Sequence, residues 1–92
     1  MGFRIDRLDA GNGFIVLLVS GRLGGEHVHT LGDALRQESG AFAIDLKNVS
    51  LVDVDAVQLL ALAESNGTEL RNCPTYIHEW VNRERAARHE EN

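Results

Sequence analysis

Apolar and polar positions along this chain change their period several times, and the changes mark out seven elements. Phe3 to Leu8 alternates in part and predicts a short strand. Ala10-Gly11-Asn12-Gly13 is a turn, because Gly and Asn tolerate positive φ. Phe14-Ile15-Val16-Leu17-Leu18-Val19 is an unbroken β-favouring run. A strand apolar on both faces belongs in the middle of a sheet covered on both sides, so the two segments predict an antiparallel hairpin whose second strand is central. Ser20 to Gly25 is glycine-rich and reads as a loop. From Glu26 to Ser39 the period becomes helical, with Val28, Leu31 and Leu35 on one face and Gly40 as the C′ stop.

Phe42 to Leu46 predicts the next strand. It leads into the turn Asn48-Val49-Ser50-Leu51-Val52-Asp53-Val54, which opens a helix from Asp55 to Ser65. The apolar residues Val57, Leu59, Leu60, Ala61, Leu62 and Ala63 cover most of that helix's circumference and predict deep burial. Asn66-Gly67 ends it. Thr68 to Asn72 is a weak edge strand. Pro74 marks entry to a third helix, on which Ile77, Trp80 and Val81 share a face. Beyond Asn82 charge dominates (Arg83, Glu84, Arg85, Arg88, Glu90, Glu91), so the last turns are expected to be solvated and frayed. The order β-β-α-β-α-β-α predicts a small mixed-sheet α/β domain. It combines an N-terminal antiparallel hairpin with parallel strand–helix–strand units in right-handed crossovers, and its helices pack on the sheet. Residues 1–82 form one domain, and 83–92 form a charged helix end or frayed tail.

Composition narrows the class. At 92 residues there is room for one core, and 43% apolar and 25% charged residues are ordinary for a soluble globular chain. A net charge of −5 argues against nucleic acid, whose phosphates require a basic face. Cys73 is the single cysteine, which excludes an internal disulfide. No charged-then-apolar leader pattern opens the sequence, and the run from Phe14 to Val19 is too short to cross a bilayer. A cytoplasmic protein without direct membrane insertion is expected.

The most telling stretch is the turn with two carboxylates, Asp53 and Asp55, at a helix N-terminus, where unpaired N–H groups favour negative charge. Three segments there resemble a known family. Val19-Ser20-Gly21-Arg22-Leu23 looks like an apolar strand followed by a G-x-L loop. Ala43-Ile44-Asp45-Leu46-Lys47-Asn48-Val49 looks like an apolar-apolar-Asp-Leu-x-x-Val strand. Leu51-Val52-Asp53-Val54-Asp55-Ala56 aligns with a motif written Asp-Ser-Ser-Gly or Asp-Ser-Thr-Gly. In order and spacing these resemble the STAS family, the domains shared by sulphate transporters and anti-sigma factor antagonists, from Phe14 to Trp80.

In the family's phospho-regulated antagonists, a serine of that motif is phosphorylated by a partner kinase, often itself the anti-sigma factor. The unphosphorylated form binds that partner and phosphorylation releases it. The corresponding positions here are Val54 and Asp55, and Ala56 replaces the glycine. The resemblance therefore implies a partner-binding domain that lacks the phosphoacceptor. The partner it implies is a kinase-like anti-sigma factor. The alternative is that the chain is a stand-alone subunit docked on the ATPase of an ABC-type lipid transporter. A small ligand-binding protein or small enzyme on this fold is a third class, and a homodimer stays open.

Asp55 has two compatible readings. It stands in for phosphoserine, with one charge against about −1.5 to −2, or it caps the helix with Gln58 three residues on, in the form of a capping box. Asp53 reads as a turn-stabilising side chain, since two carboxylates alone make a poor metal site. Asp45 is either an exposed strand-end carboxylate or, as the resemblance implies, part of an acidic cluster near the motif. Ser50 is the nearby hydroxyl and reads as a loop serine. His27 and His29 lie about 200° apart on a helix, His78 and His89 are distant in sequence, and no metal site or cofactor is expected. Cys73 has no evident base and reads as a bystander thiol. No Ser/His/Asp constellation is present, and Gly21 to Gly25 lacks the P-loop ending. Trp80 reads as a helix-docking residue. The expected protein contacts are Arg22, Leu23, Asp53, Val54, Asp55 and Ala56, in a protein that is not an enzyme.

Overall fold

The computed structural model describes residues 2–38 and 40–90, the side chains of 88–90 excepted. The elements are β1 (Arg4–Asp9), β2 (Ile15–Leu23), α1 (Glu26–Gln37), β3 (Phe42–Val52), α2 (Val54–Ser65), β4 (Glu69–Arg71) and α3 (Thr75–Glu90). The strands form one sheet in the order β1-β2-β3-β4. β1 pairs antiparallel with β2, while β2–β3 and β3–β4 are parallel. This is the expected mixed α/β architecture, with β2 inside the sheet and the three-residue β4 at its edge.

Helix cover departs from expectation. Leu31 of α1, Val57 and Leu60 of α2, and Ile77 and Val81 of α3 join Val19, Ile44 and Leu46 in a single cluster. All three helices thus lie on one face of the sheet. On the other face Leu8, Val16 and Ala43 stand in register, and Leu8 is 47% exposed. The continuous apolar run of β2 is satisfied by its central place and its neighbours, not by a second helical layer.

Both central strands outrun the predicted segments. Ser20-Gly21-Arg22-Leu23 is strand rather than loop, and β3 continues through Asn48 to Val52. Ser20-Gly21 and Asn48-Val49-Ser50 carry turn-favouring residues, but the two strand ends are ladder partners, and pairing overrides propensity. The register shifts twice, between Leu18 and Ser20 and between Gly21 and Arg22. At each shift β3 carries one residue more than β2, which is the two-against-one pattern of a β-bulge. Such bulges bend a strand and re-aim its side chains.

The helix ends also differ. α1 stops at Gln37. Glu38 is extended and its carboxylate accepts from Arg7 Nε at 2.8 Å, so the chain is drawn towards β1 before Gly40 is reached. The expected end at Ser39 lies outside the described residues. α2 begins one residue before Asp55 and ends as expected at Asn66, followed by Gly67 with φ +97°. α3 runs to Glu90, well past Asn82, and Arg85 bonds Glu64 of α2 at 3.0 Å. The expectation of fraying at Glu91 lies outside the described residues.

Candidate functional site

The two carboxylates of the turn have different roles, and the capping role falls to Asp53, not Asp55. Asp53 is extended (φ −110°, ψ −178°) directly before the first helical residue of α2. Its Oδ1 accepts the Ala56 N–H at 2.9 Å, the bond of an N-cap to the third helical residue. Its backbone carbonyl accepts the first intrahelical bond from Val57 at 3.0 Å. Asp55 lies one residue inside the helix, exposed on its first turn, where a negative charge suits the helix dipole. Gln58 is exposed on the same helix, three residues beyond a position that is not the cap. The reason is backbone geometry: β3 stays extended through Val52, so the first residue free to leave the ladder and turn its side chain onto the helix is Asp53.

The same carboxylate also reaches across the sheet. Asp53 Oδ2 accepts the Gly25 N–H at 2.9 Å, and Asp53 N–H donates to the Leu23 carbonyl at 3.3 Å. Gly25 is the N-cap of α1, with φ 58° and ψ −131°, a conformation that side-chain-bearing residues rarely adopt. A Cβ on the neighbouring Gly24 would sit 2.8 Å from Asp53 Oδ2, so a side chain there would push the carboxylate from its place against the backbone. One side chain thus joins the N-termini of two helices. The amides of Ala56 first and Gly25 second hold the Asp53 carboxyl below the usual carboxylate range.

Around this strap the molecule offers a shallow cleft of about 400 Å³ between Arg22–Gly25 and Leu51–Asp53. Leu51 faces Arg22 across the β2–β3 ladder. Leu51 is 49% exposed and Val54 48% exposed. Tyr76, on the first turn of α3 and 49% exposed, donates its hydroxyl to the Ser50 carbonyl at 3.1 Å. His27, on the first turn of α1, is held near Arg22. Its ring stacks on Phe3 (centroids 4.4 Å apart, planes 8° apart) and its Nδ1–H donates to the Arg22 carbonyl at 3.0 Å.

Of the six residues expected to meet a partner, Arg22, Val54 and Asp55 are exposed and Asp53 is half-buried. Leu23 and Ala56 are fully buried, so their side chains belong to the core and not to a contact surface. Leu51 and Tyr76 are further exposed side chains at this end of the molecule, Leu51 lining the cleft and Tyr76 bonded to the Ser50 carbonyl, and local pattern singles out neither. Leu51 reads as an ordinary strand-end apolar residue, and nothing local to Tyr76 says that α3 starts beside the end of β3.

Asp45 fits neither of its two expectations. It is 9% exposed, and its carboxylate accepts from the Lys47 N–H and from Asn72 Nδ2, both at 3.0 Å. It therefore stitches β3 to the end of β4, away from the turn. Cys73 is half-buried against the core, and burial pushes its thiol up, away from nucleophilic use. Trp80 is half-buried on the core, as expected of a docking residue. His29 and His78 are exposed, while the His89 side chain lies outside the described ones. Among the described residues, no group of three or more His, Cys, Asp or Glu side chains could hold a metal ion, and no helix is long and apolar enough to cross a membrane.

No protein-family model matches the chain, and neither does any curated protein sequence. Solved structures do match. One is the anti-sigma factor antagonist SpoIIAA in its unphosphorylated form, at 12% identity and a TM-score of 0.52, covering 89% of this chain and 96% of that one. The order of elements and the antiparallel hairpin followed by parallel strands are thus those of a known architecture: this chain has the fold of the anti-sigma factor antagonist SpoIIAA.

Proposed function

We propose that this protein is a non-catalytic interaction domain, an adaptor of the partner-switching kind, which binds a kinase-like anti-sigma factor through the end of the sheet where β2 and β3 stop. The observation that carries the reading is the first turn of α2. Val54 and Asp55 occupy the positions that align with the family's phosphoacceptor motif, and both are exposed. Neither side chain accepts a phosphate as serine does. Asp53, with both oxygens bonded to backbone amides, serves as the strap that holds the surface in shape. The partner then meets exposed apolar side chains next to charge, Leu51 opposite Arg22 in the ladder and Val54 beside Asp55 on the first turn of α2. Arrangements of this kind, with apolar anchors and a polar rim, are where binding energy concentrates.

The test is capture of partners by the tagged chain in its host, followed by titration of the purified partner. The expected partner is a kinase-like protein. Leu51→Asp and Val54→Asp should each weaken binding by about 1–2 kcal/mol or more, the scale of an interface anchor, with the thermal midpoint kept. With that kinase and ATP, the natural chain should gain no phosphate between Val52 and Gln58 by intact mass and peptide mapping, whereas Asp55→Ser should gain one. Recovery of a transporter ATPase instead would move the same surface to a docking role in a membrane complex. A phosphate on the natural segment would end the idea of a domain insensitive to phosphorylation.

A further inference from the structure

The end of the molecule opposite the Asp53 turn, where the parallel strands begin, holds a second cleft of about 320 Å³ between α1 and α2. Leu35, Phe42, Leu59 and Leu62 form its apolar wall, and Arg36 and Thr68 add polar groups. The volume falls at the lower end of the range of small-molecule sites, which are apolar with a few placed polar groups. Two features point to an occupant.

The first is Gly32. It is buried in the middle of α1 and lines the cleft, yet a Cβ there would meet only Arg36 Nη1 at 3.6 Å, an ordinary contact with the end of a flexible side chain. Its φ is helical rather than positive, so neither packing nor backbone conformation requires glycine. Glycine weakens a helix interior relative to alanine, and what it leaves in return is open space between the helices. The second is Arg36. Its Nη2 pairs with Asp33, while Nη1 hangs over Gly32 at the cleft. The Arg36 side chain is 72% exposed at the rim of the apolar cleft, where a guanidinium suits a carboxylate and binds it by charge-assisted hydrogen bonds. Leu62, 44% exposed on the wall, lies where an aliphatic chain would cover it.

We infer that the cleft between α1 and α2 is a binding site for a linear aliphatic carboxylate, with the chain against Leu35, Phe42, Leu59 and Leu62 and the head group at Arg36. The site is independent of the proposed partner surface. It is tested by titrating the ¹⁵N-labelled full chain with decanoate below its micellar concentration, with decanol as the uncharged control.

Saturable amide shifts are expected at Gly32, Leu35, Phe42, Leu59 and Thr68, with decanoate favoured over decanol. Gly32→Leu, which fills the cleft, should weaken binding about tenfold or more while keeping or raising the thermal midpoint. Arg36→Gln should leave decanol binding unchanged and erase the preference for decanoate, which keeps the test decisive even where Gly32→Leu fails to fold. No saturable shift, shifts confined to other surfaces, or full binding by a folded Gly32→Leu variant overturns the site. Equal affinity for decanol and decanoate overturns the carboxylate assignment.

Discussion

At the scale of single residues, Asp53 and Asp55 show how two carboxylates two positions apart acquire different work. Asp53 accepts from Ala56 and Gly25 and so satisfies one amide at the start of each of two helices. Asp53→Ala removes an N-cap, which costs about 1 kcal/mol, range 0.5–2, and also strands the Gly25 amide. Asp53→Asn separates the two bonds. Its amide oxygen still caps α2, but its NH₂ cannot accept from Gly25, so the expected midpoint in urea lies between natural and Asp53→Ala. The pH dependence has a definite sign. The carboxyl's pKa is lowered in the folded protein, so its contribution is complete above the unfolded value of about 4 and is lost as pH falls through the folded one. The stability gap between the natural chain and Asp53→Asn should therefore be constant from neutral pH to about 5 and shrink below about 4. A gap that widens on acidification would contradict this. Asp55→Asn removes only a favourable first-turn charge, worth about 0.3–1 kcal/mol, and no cap. A partner affinity that changes while stability holds would assign Asp55 to recognition.

At the scale of elements, α2 is the informative case. Its near-continuous apolar composition predicts burial all round. Ala56, Val57, Leu60, Ala61 and Ala63 are indeed buried, whereas Val54 and Leu62 are 48% and 44% exposed. Periodicity cannot sort apolar residues from one another when few polar ones mark the solvent face. Leu60→Ala should cost about 2–5 kcal/mol, the range for emptying a packed leucine site, while Leu62→Ala should stay within about 0.5 kcal/mol, both read by chemical denaturation. The strands teach the complementary lesson. Ser20-Gly21-Arg22 and Asn48-Val49-Ser50 each read as loop by composition, yet they pair with one another through two register shifts. A ladder between segments nearly thirty positions apart leaves no mark in either one alone, and it is this ladder that delays the turn to Asp53.

At the scale of the whole molecule, one cluster draws on β2, β3 and all three helices, so unfolding should be a single cooperative transition. The buried residues of α3 end at Val81, and beyond it the described side chains are mostly exposed, tied to α2 by the Arg85–Glu64 pair. A surface pair of this kind is worth about 0–1 kcal/mol. Deleting residues 83–92 should therefore leave one cooperative transition, with the midpoint lowered by no more than about 4–8 °C, the shift that 1 kcal/mol produces in a domain of this size. Loss of cooperativity would show that the domain extends past residue 82. The amino-acid pattern by itself determined the element order, the central place of β2 and the expectation of a strand-to-helix turn bearing charge. These rest on local periodicity and on the handedness of crossovers, which neighbours in sequence carry. Only the tertiary structure decided that the helices share one face, that Asp53 and not Asp55 caps α2, that Leu23 and Ala56 are core, and that Tyr76 stands beside Ser50. Each of these depends on which distant segment a residue meets, and burial, pairing and hydrogen-bond partners are properties of that meeting rather than of the residue.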